Sequence, residues 1–73
     1  MDGKEIDFII ERKGKIVALE VKFSRTVNTH DFKTMARFSE ASDNFVHGYI
    51  LYLGDSIHPF GKKITALPMK VLF

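Results

Sequence analysis

The chain has 73 residues, of which 45% are hydrophobic and 27% charged, and its formal net charge is +2. This length allows one small domain, and seven Phe favour a packed core over disorder. The absence of cysteine excludes disulfides and thiolate metal sites. No apolar run approaches the about 20 residues of a membrane span. The polar start carries no signal-peptide pattern, so we expect a cytoplasmic protein with no membrane partner.

The first two predicted elements are strands over residues 5–11 and 16–22, joined by a polar stretch that contains Gly14. A tight turn at Lys13-Gly14 makes a β-hairpin in which Asp7 faces Glu20 and Glu5 faces Lys22. The same register makes one wholly apolar face, on which three residues of the first strand face three of the second: Ile6, Phe8 and Ile10 against Val21, Leu19 and Val17. A slip by one residue would destroy that face, so the hydrophobic pattern specifies the register.

The next predicted elements are a helix and a central strand. Asn28 or Thr29 is a suitable N-cap for a helix that runs to about residue 42. Its buried stripe follows helical spacing and comprises Phe32, Met35, Ala36 and Ser39, with Phe38 at the border. Residues 45–53 are apolar almost throughout, which is typical of a strand covered on both faces and parallel to its neighbour. The second strand, the helix and this strand therefore form a βαβ unit.

The end of the chain predicts a loop and one more strand. Residues 54–61 contain Pro59 and two glycines and read as a loop. A short strand over residues 62–67 is expected at a sheet edge, and Pro68 suits the first turn of a following helix. Tyr49 and Tyr52 are expected on opposite faces of their strand. The predicted fold class is α/β with a mixed sheet.

The facing pair of Asp7 and Glu20 is the main candidate for chemistry. Directly opposed carboxylates repel each other in an antiparallel pair, so the pair needs a cation, a shared proton or a nearby basic group. Lys22 lies on the same face as Glu20, and Glu5 lies at the edge of the cluster. Such a set suits a hard divalent cation and a polar reaction. The alternative is that both acids are ordinary surface carboxylates balanced by Lys22 and Arg12.

The other polar residues give weaker signals. His30, His47 and His58 lack the spacing of metal ligands, so packing or surface roles are the better interpretation of each. His30 and Lys33, near the helix start, could approach a phosphate. The basic residues at the hairpin tip are expected to form a solvated turn. There is no glycine-rich phosphate loop, so we do not expect this chain to bind ATP by a P-loop.

Asp7 followed by Glu20-Val21-Lys22 on the next strand resembles the signature of the PD-(D/E)XK superfamily, which has the restriction-endonuclease-like fold. A longer series resembles one branch: the run GKEIDFIIERKGKIVALEVKFSRTVNTHDFKTMARF, then GYILYLGD, then ITALPMKVL. This series is similar to the domain of unknown function at the C-terminus of many bacterial and archaeal AAA-type ATP-binding proteins. The likeness covers nearly the whole chain.

The resemblance implies a function and a site. Asp7 and Glu20 would hold Mg²⁺ or Mn²⁺, Lys22 would assist the attacking water, and the substrate would be the phosphodiester backbone of DNA or RNA. An ATPase domain would be a partner in cis in full-length relatives. The alternative function is a non-catalytic accessory or interaction domain of such an ATPase. A third reading is a structural domain whose acidic pair is a relic.

The resemblance also bears on the domain boundaries. In the superfamily a helix and another strand precede the strand that carries the Asp. We therefore expect residues 1–73 to be a single domain, a truncated restriction-endonuclease-like core that forms the C-terminal fragment of a larger nuclease-like domain. Such a core has an open sheet edge and an uncovered face, and we expect a homodimer through one of them.

Overall fold

A computed structural model of the chain describes residues 6–72, which form one mixed sheet and one α-helix. The elements in chain order are the strands β1 (Phe8–Arg12) and β2 (Lys15–Lys22), the helix α1 (Thr29–Ala41), the strands β3 (Phe45–Tyr52), β4 (His58–Phe60) and β5 (Ile64–Pro68), and a 3₁₀ helix over Met69–Leu72. The predicted α/β class with a mixed sheet is confirmed. None of the helices in the described range has the length and apolar character needed to cross a bilayer.

The sheet order is β1-β2-β3-β5-β4. β1 is antiparallel to β2, with Phe8 opposite Leu19 and Ile10 opposite Val17, so the predicted hairpin register is confirmed over the residues of β1. β3 is parallel to both β2 and β5, which confirms its predicted central and parallel position. The hairpin turn needs left-handed backbone, with φ of 55° at Lys13 and 78° at Gly14. This geometry is easy for glycine and explains the tight connection.

The end of the chain differs from the prediction in one respect. The last strand, expected at an edge over residues 62–67, is β5, and it lies between β3 and β4. The edge is taken by β4, a strand of three residues in the segment that was predicted to be a loop. Pro59 is tolerated there because an edge strand needs only one row of backbone hydrogen bonds. The 3₁₀ helix that follows Pro68 agrees with the predicted turn.

The helix begins and ends where the sequence indicates. Asn28 is the N-cap and Ser42 the C-cap. Phe32 and Met35 are buried in the core, and Ala36 and Phe38 pack against its border, which confirms the predicted stripe. α1 packs mainly over β3 and β5.

The face of the sheet covered by α1 is the opposite of the one expected from the strand pattern. Ala18 and Glu20 are buried on the covered face, whereas Phe8 and Ile10, on the apolar hairpin face, are 58% and 52% exposed. The wholly apolar face of the hairpin is therefore not the face that α1 covers. Ile6, predicted to share that face, instead packs against the core on the helix side.

Small residues explain why the helix approaches this side. Ala18 and Gly48 are paired across β2 and β3 on the covered face. A Cβ atom at Gly48 would lie 2.5 Å from the sulfur of Met35, so only glycine leaves room for that side chain. Met35 is fully buried and fills the gap between sheet and helix.

Candidate functional site

Glu20 and Lys22 project from β2 onto the covered face of the sheet. Side chains alternate along a strand, so the two residues share a face and Val21 points away. Their partners on β3 are Ile50 and Tyr52, both buried. The side chain of Glu20 is itself buried, with 4% relative exposure. The carboxylate of Glu20 thus lies among largely apolar side chains near the end of β2, where its charge interacts strongly with neighbouring groups.

Asp7 lies against the same stretch of β2, just before β1 begins. Its backbone N–H donates to the carbonyl of Leu19 at 2.9 Å, and its carboxylate Oδ2 accepts from the backbone N–H of Val21 at 2.7 Å. These two bonds reach the residues on either side of Glu20. Asp7 is solvent-exposed, so its carboxylate is accessible while one of its oxygens is held by the strand backbone.

Lys22 is anchored by Asp31, which is not among the predicted site residues. Its Nζ donates to Oδ2 of Asp31 at 2.6 Å, and the side chains of Lys22 and Asp31 are 23% and 10% exposed. Lys22 was predicted to pair with Glu5 if its role were only structural. Glu5 and its predicted position lie outside the described residues, and the observed partner is Asp31.

Asp31 also closes the capping box of α1. Its Oδ2 accepts from the N–H of Asn28 at 2.8 Å, and its own N–H donates to Oδ1 of Asn28 at 3.1 Å. The same carboxylate oxygen therefore satisfies an N-cap donor and fixes the ammonium of Lys22, which ties the end of β2 to the start of α1. A sequence signal existed: Asp31 lies one turn before the buried Met35, on the stripe that faces the sheet.

Asp7 lies against the carboxyl end of β2, where it bonds to Leu19 and Val21, and Lys22 shares a face of β2 with Glu20. The pairing of β1 with β2 begins at Phe8, so the facing of Asp7 and Glu20 stays a prediction. The proposed roles of Asp7, Glu20 and Lys22 as metal ligands and catalytic groups stay predictions. Of the three histidines, His47 lies on the opposite face, where its Nε2 lies 2.9 Å from Oγ1 of Thr65 and its ring stacks on Tyr49.

The carboxylates of Asp7 and Glu20 suit hard divalent cations such as Mg²⁺ and Mn²⁺ better than zinc. Residues 6–72 contain no group of three or more His, Cys, Asp or Glu side chains placed to hold a metal ion. Mg²⁺ commonly uses only one or two carboxylates and completes its shell with water and substrate phosphate. The donor set of two carboxylates is compatible with that mode, whereas a zinc site needs three or four protein ligands.

Comparison with known proteins gives one match. A domain of unknown function (DUF4143) matches residues 1–72. No curated protein and no solved structure matches the chain. The match covers nearly the whole sequence, including the hairpin, α1 and the final strand. The chain therefore belongs to this family of domains of unknown function.

Proposed function

We propose that this domain is a metal-dependent nuclease of the PD-(D/E)XK type, which hydrolyses phosphodiester bonds in DNA or RNA in the cytoplasm. The observation that carries the proposal is the arrangement at the end of β2. The carboxylate of Glu20 is buried, the ammonium of Lys22 is anchored on the same face of β2, and the exposed carboxylate of Asp7 bonds to Val21, the residue between them. Burial of a carboxylate costs folding free energy, so such a residue on a strand end is a candidate for function.

Asp7 and Glu20 would hold Mg²⁺ or Mn²⁺. When bound, such an ion neutralises charge on a phosphate and makes a coordinated water more acidic. Asp7 keeps a fixed orientation because Val21 holds one of its oxygens. Burial of Glu20 strengthens the interaction of its carboxylate with a cation.

Lys22 would orient the attacking water or stabilise charge that develops on the phosphate. Its ammonium has three N–H donors, and Asp31 accepts one of them. Asp31 thus restricts the long side chain to one position. A positioned cation contributes more to the transition state than a mobile one, because less reorganisation is needed.

Nuclease activity is best tested on labelled single-stranded and double-stranded oligonucleotides of DNA and RNA, with Mg²⁺ or Mn²⁺ and with a chelator control. The most informative variant is Asp7→Asn, since the amide oxygen can still accept from Val21 and the fold should persist. We expect Asp7→Asn and Glu20→Gln to lower cleavage by about 100-fold or more. Asp43→Asn, at an exposed turn, is the matched control and should cleave like the parent. Equal cleavage by the parent and both site variants would contradict the proposal.

A second function is favoured by a specific observation. In the structure, Oδ2 of Asp7 and the ammonium of Lys22 both bond to groups of the protein itself. Such contacts also suit an accessory domain of an AAA-type ATPase that keeps the fold without turnover. In that case the parent shows no metal-dependent cleavage, and Asp7→Asn and Glu20→Gln bind the ATPase domain as the parent does.

A further inference from the structure

A cavity of about 360 Å³ opens beside the candidate site, at the carboxyl ends of β2 and β3. Its floor is apolar and aromatic, formed by Val27, Phe32 and Tyr52. Its rim carries exposed polar groups, chiefly Arg25 and His58. The volume falls within the range of small-molecule sites, and ligands of open α/β sheets bind beyond the carboxyl ends of the strands.

Two residues that line the cavity are neighbours of Lys22 or of its partner Asp31. Tyr52 is the partner of Lys22 across β2 and β3 and lies on the same face, about 4.8 Å away by the usual spacing of strands. Phe32 follows Asp31, which holds the ammonium of Lys22. A ligand in this cavity would therefore lie next to the group proposed to act on the scissile phosphate.

The floor is rigid. The hydroxyl of Tyr52 donates to the carbonyl of Ser56 at 2.6 Å. Phe32 stacks on Phe60 with ring centroids 4.5 Å apart. Gly54 lies against the ring of Tyr52 and the carbonyl of Arg25, where a Cβ atom would collide with both. These contacts fix the loops on either side, so the cavity is preformed and binding would cost little ordering entropy.

The lining combines the two chemistries that a nucleotide needs. Planar side chains and proline offer surfaces on which a base can stack, and His58 and Pro59 lie exposed at the rim. The guanidinium of Arg25 can bind a phosphate through two parallel hydrogen bonds. An apolar ligand without charge would leave the arginine unused, and a bare anion would leave the aromatic floor unused.

We propose that this cavity binds one nucleotide of the substrate strand, next to the phosphodiester that is cut, with its base near His58 and Pro59 and its phosphate on Arg25. The proposal rests on the nucleic-acid substrate proposed above. It assigns to Arg25 a role in binding, distinct from the roles of Asp7, Glu20 and Lys22 at the scissile bond.

The test is a titration of the full chain with thymidine 3′,5′-bisphosphate, without metal, followed by ¹⁵N NMR. We expect shifts concentrated at Arg25, Thr26 and His58, and much weaker binding of inorganic phosphate and of thymidine. Arg25→Gln should weaken binding about tenfold or more, because a charge-assisted contact is lost. Arg37→Gln, which removes an exposed arginine on α1, should bind within twofold of the parent.

Three results would overturn the proposal: shifts confined to other parts of the chain, equal binding by Arg25→Gln and the parent, or inorganic phosphate binding as tightly as the bisphosphate. The oligonucleotide assay separates this failure from failure of the nuclease function. Cleavage without binding in the cavity rejects the nucleotide site alone. Binding in the cavity by a parent that does not cleave supports the site and rejects the nuclease function.

Discussion

Replacing Asp31 tests the contact that joins β2 to α1. Asp31→Asn removes the charge that pairs with Lys22 but leaves an amide oxygen to accept from the N–H of Asn28. Exposed ion pairs contribute about 0.2–1 kcal/mol, whereas removing one partner of a buried pair costs about 3–5 kcal/mol. The side chains here are 23% and 10% exposed. Because Lys22 keeps some access to water, we expect a loss of about 2 kcal/mol for Asp31→Asn.

Asp31→Ala should cost more. It removes the ion pair and also the acceptor of the capping box, which adds about 1 kcal/mol. A chain of this length has a total stability of about 4–11 kcal/mol, so a loss of about 3 kcal/mol is a large fraction of it. Urea denaturation followed by circular dichroism measures both variants. With an m-value of about 1 kcal/mol/M, the midpoint of Asp31→Asn should fall by about 2 M.

The matched control is Asp55→Asn, because Asp55 bonds to Lys70 at 2.8 Å but these side chains are 79% and 66% exposed. The chemical change and the kind of pair are the same, whereas Asp31 is buried and lies in the capping box of α1 and Asp55 is exposed in a loop. We expect a loss of stability in the control that is well below the loss in Asp31→Asn. Similar midpoints for Asp31→Asn and the parent would refute the argument. So would additive losses in a double-mutant cycle of Asp31→Asn with Lys22→Met.

Three further predictions concern other parts of the fold. The hydrogen bond from Lys70 is the main cause, and the charge of Lys70 the second cause, of the lowered pKa of Asp55. Lys70→Met should therefore raise the pKa of Asp55 in a carboxyl ¹³C titration. An unchanged pKa would count against the contact. The stability from this pair is present above the unfolded pKa of Asp and is lost as pH falls through the lowered folded value. Gly48→Ala should lower the free energy of unfolding by about 1–3 kcal/mol, because the new methyl group would collide with the buried Met35. Thermal or urea denaturation measures this loss. An unchanged stability would show that Met35 can move aside. β1 is an edge strand with exposed apolar residues, and its outer edge pairs with no strand among residues 6–72, so we expect two copies to associate there. Sedimentation equilibrium should show a homodimer, and Ile10→Glu should weaken it. A monomer at millimolar concentration would contradict this prediction.

The sequence predicts the hairpin register well because alternation leaves little choice. Phe8 and Ile10 face Leu19 and Val17 of β2, and a slip by one residue would place them opposite the other face of that strand. The capping residue and the buried stripe locate α1 for a similar reason. Each of these features depends on neighbours that are close in sequence.

The choice of the covered face depends on contacts distant in sequence. Hydrophobicity alone predicts that the apolar face of β2 is the buried one, yet α1 covers the face with Ala18 and Glu20. The clue was the pair of small residues, Ala18 and Gly48, which allows close approach of Met35. The role of Asp31 was missed for the same reason, because its bond to Lys22 forms only once the helix is docked on that side.

The central claim is that Asp7 and Glu20 form a site for a divalent cation, and a titration with Mn²⁺ tests it most directly. Mn²⁺ takes the same oxygen ligands as Mg²⁺ and broadens the NMR signals of nearby nuclei. We expect selective broadening of the backbone signals of Asp7, Glu20 and Val21, lost in Glu20→Gln and retained in Asp43→Asn. The absence of any selective effect at millimolar Mn²⁺, or the same broadening in Glu20→Gln, would contradict the claim.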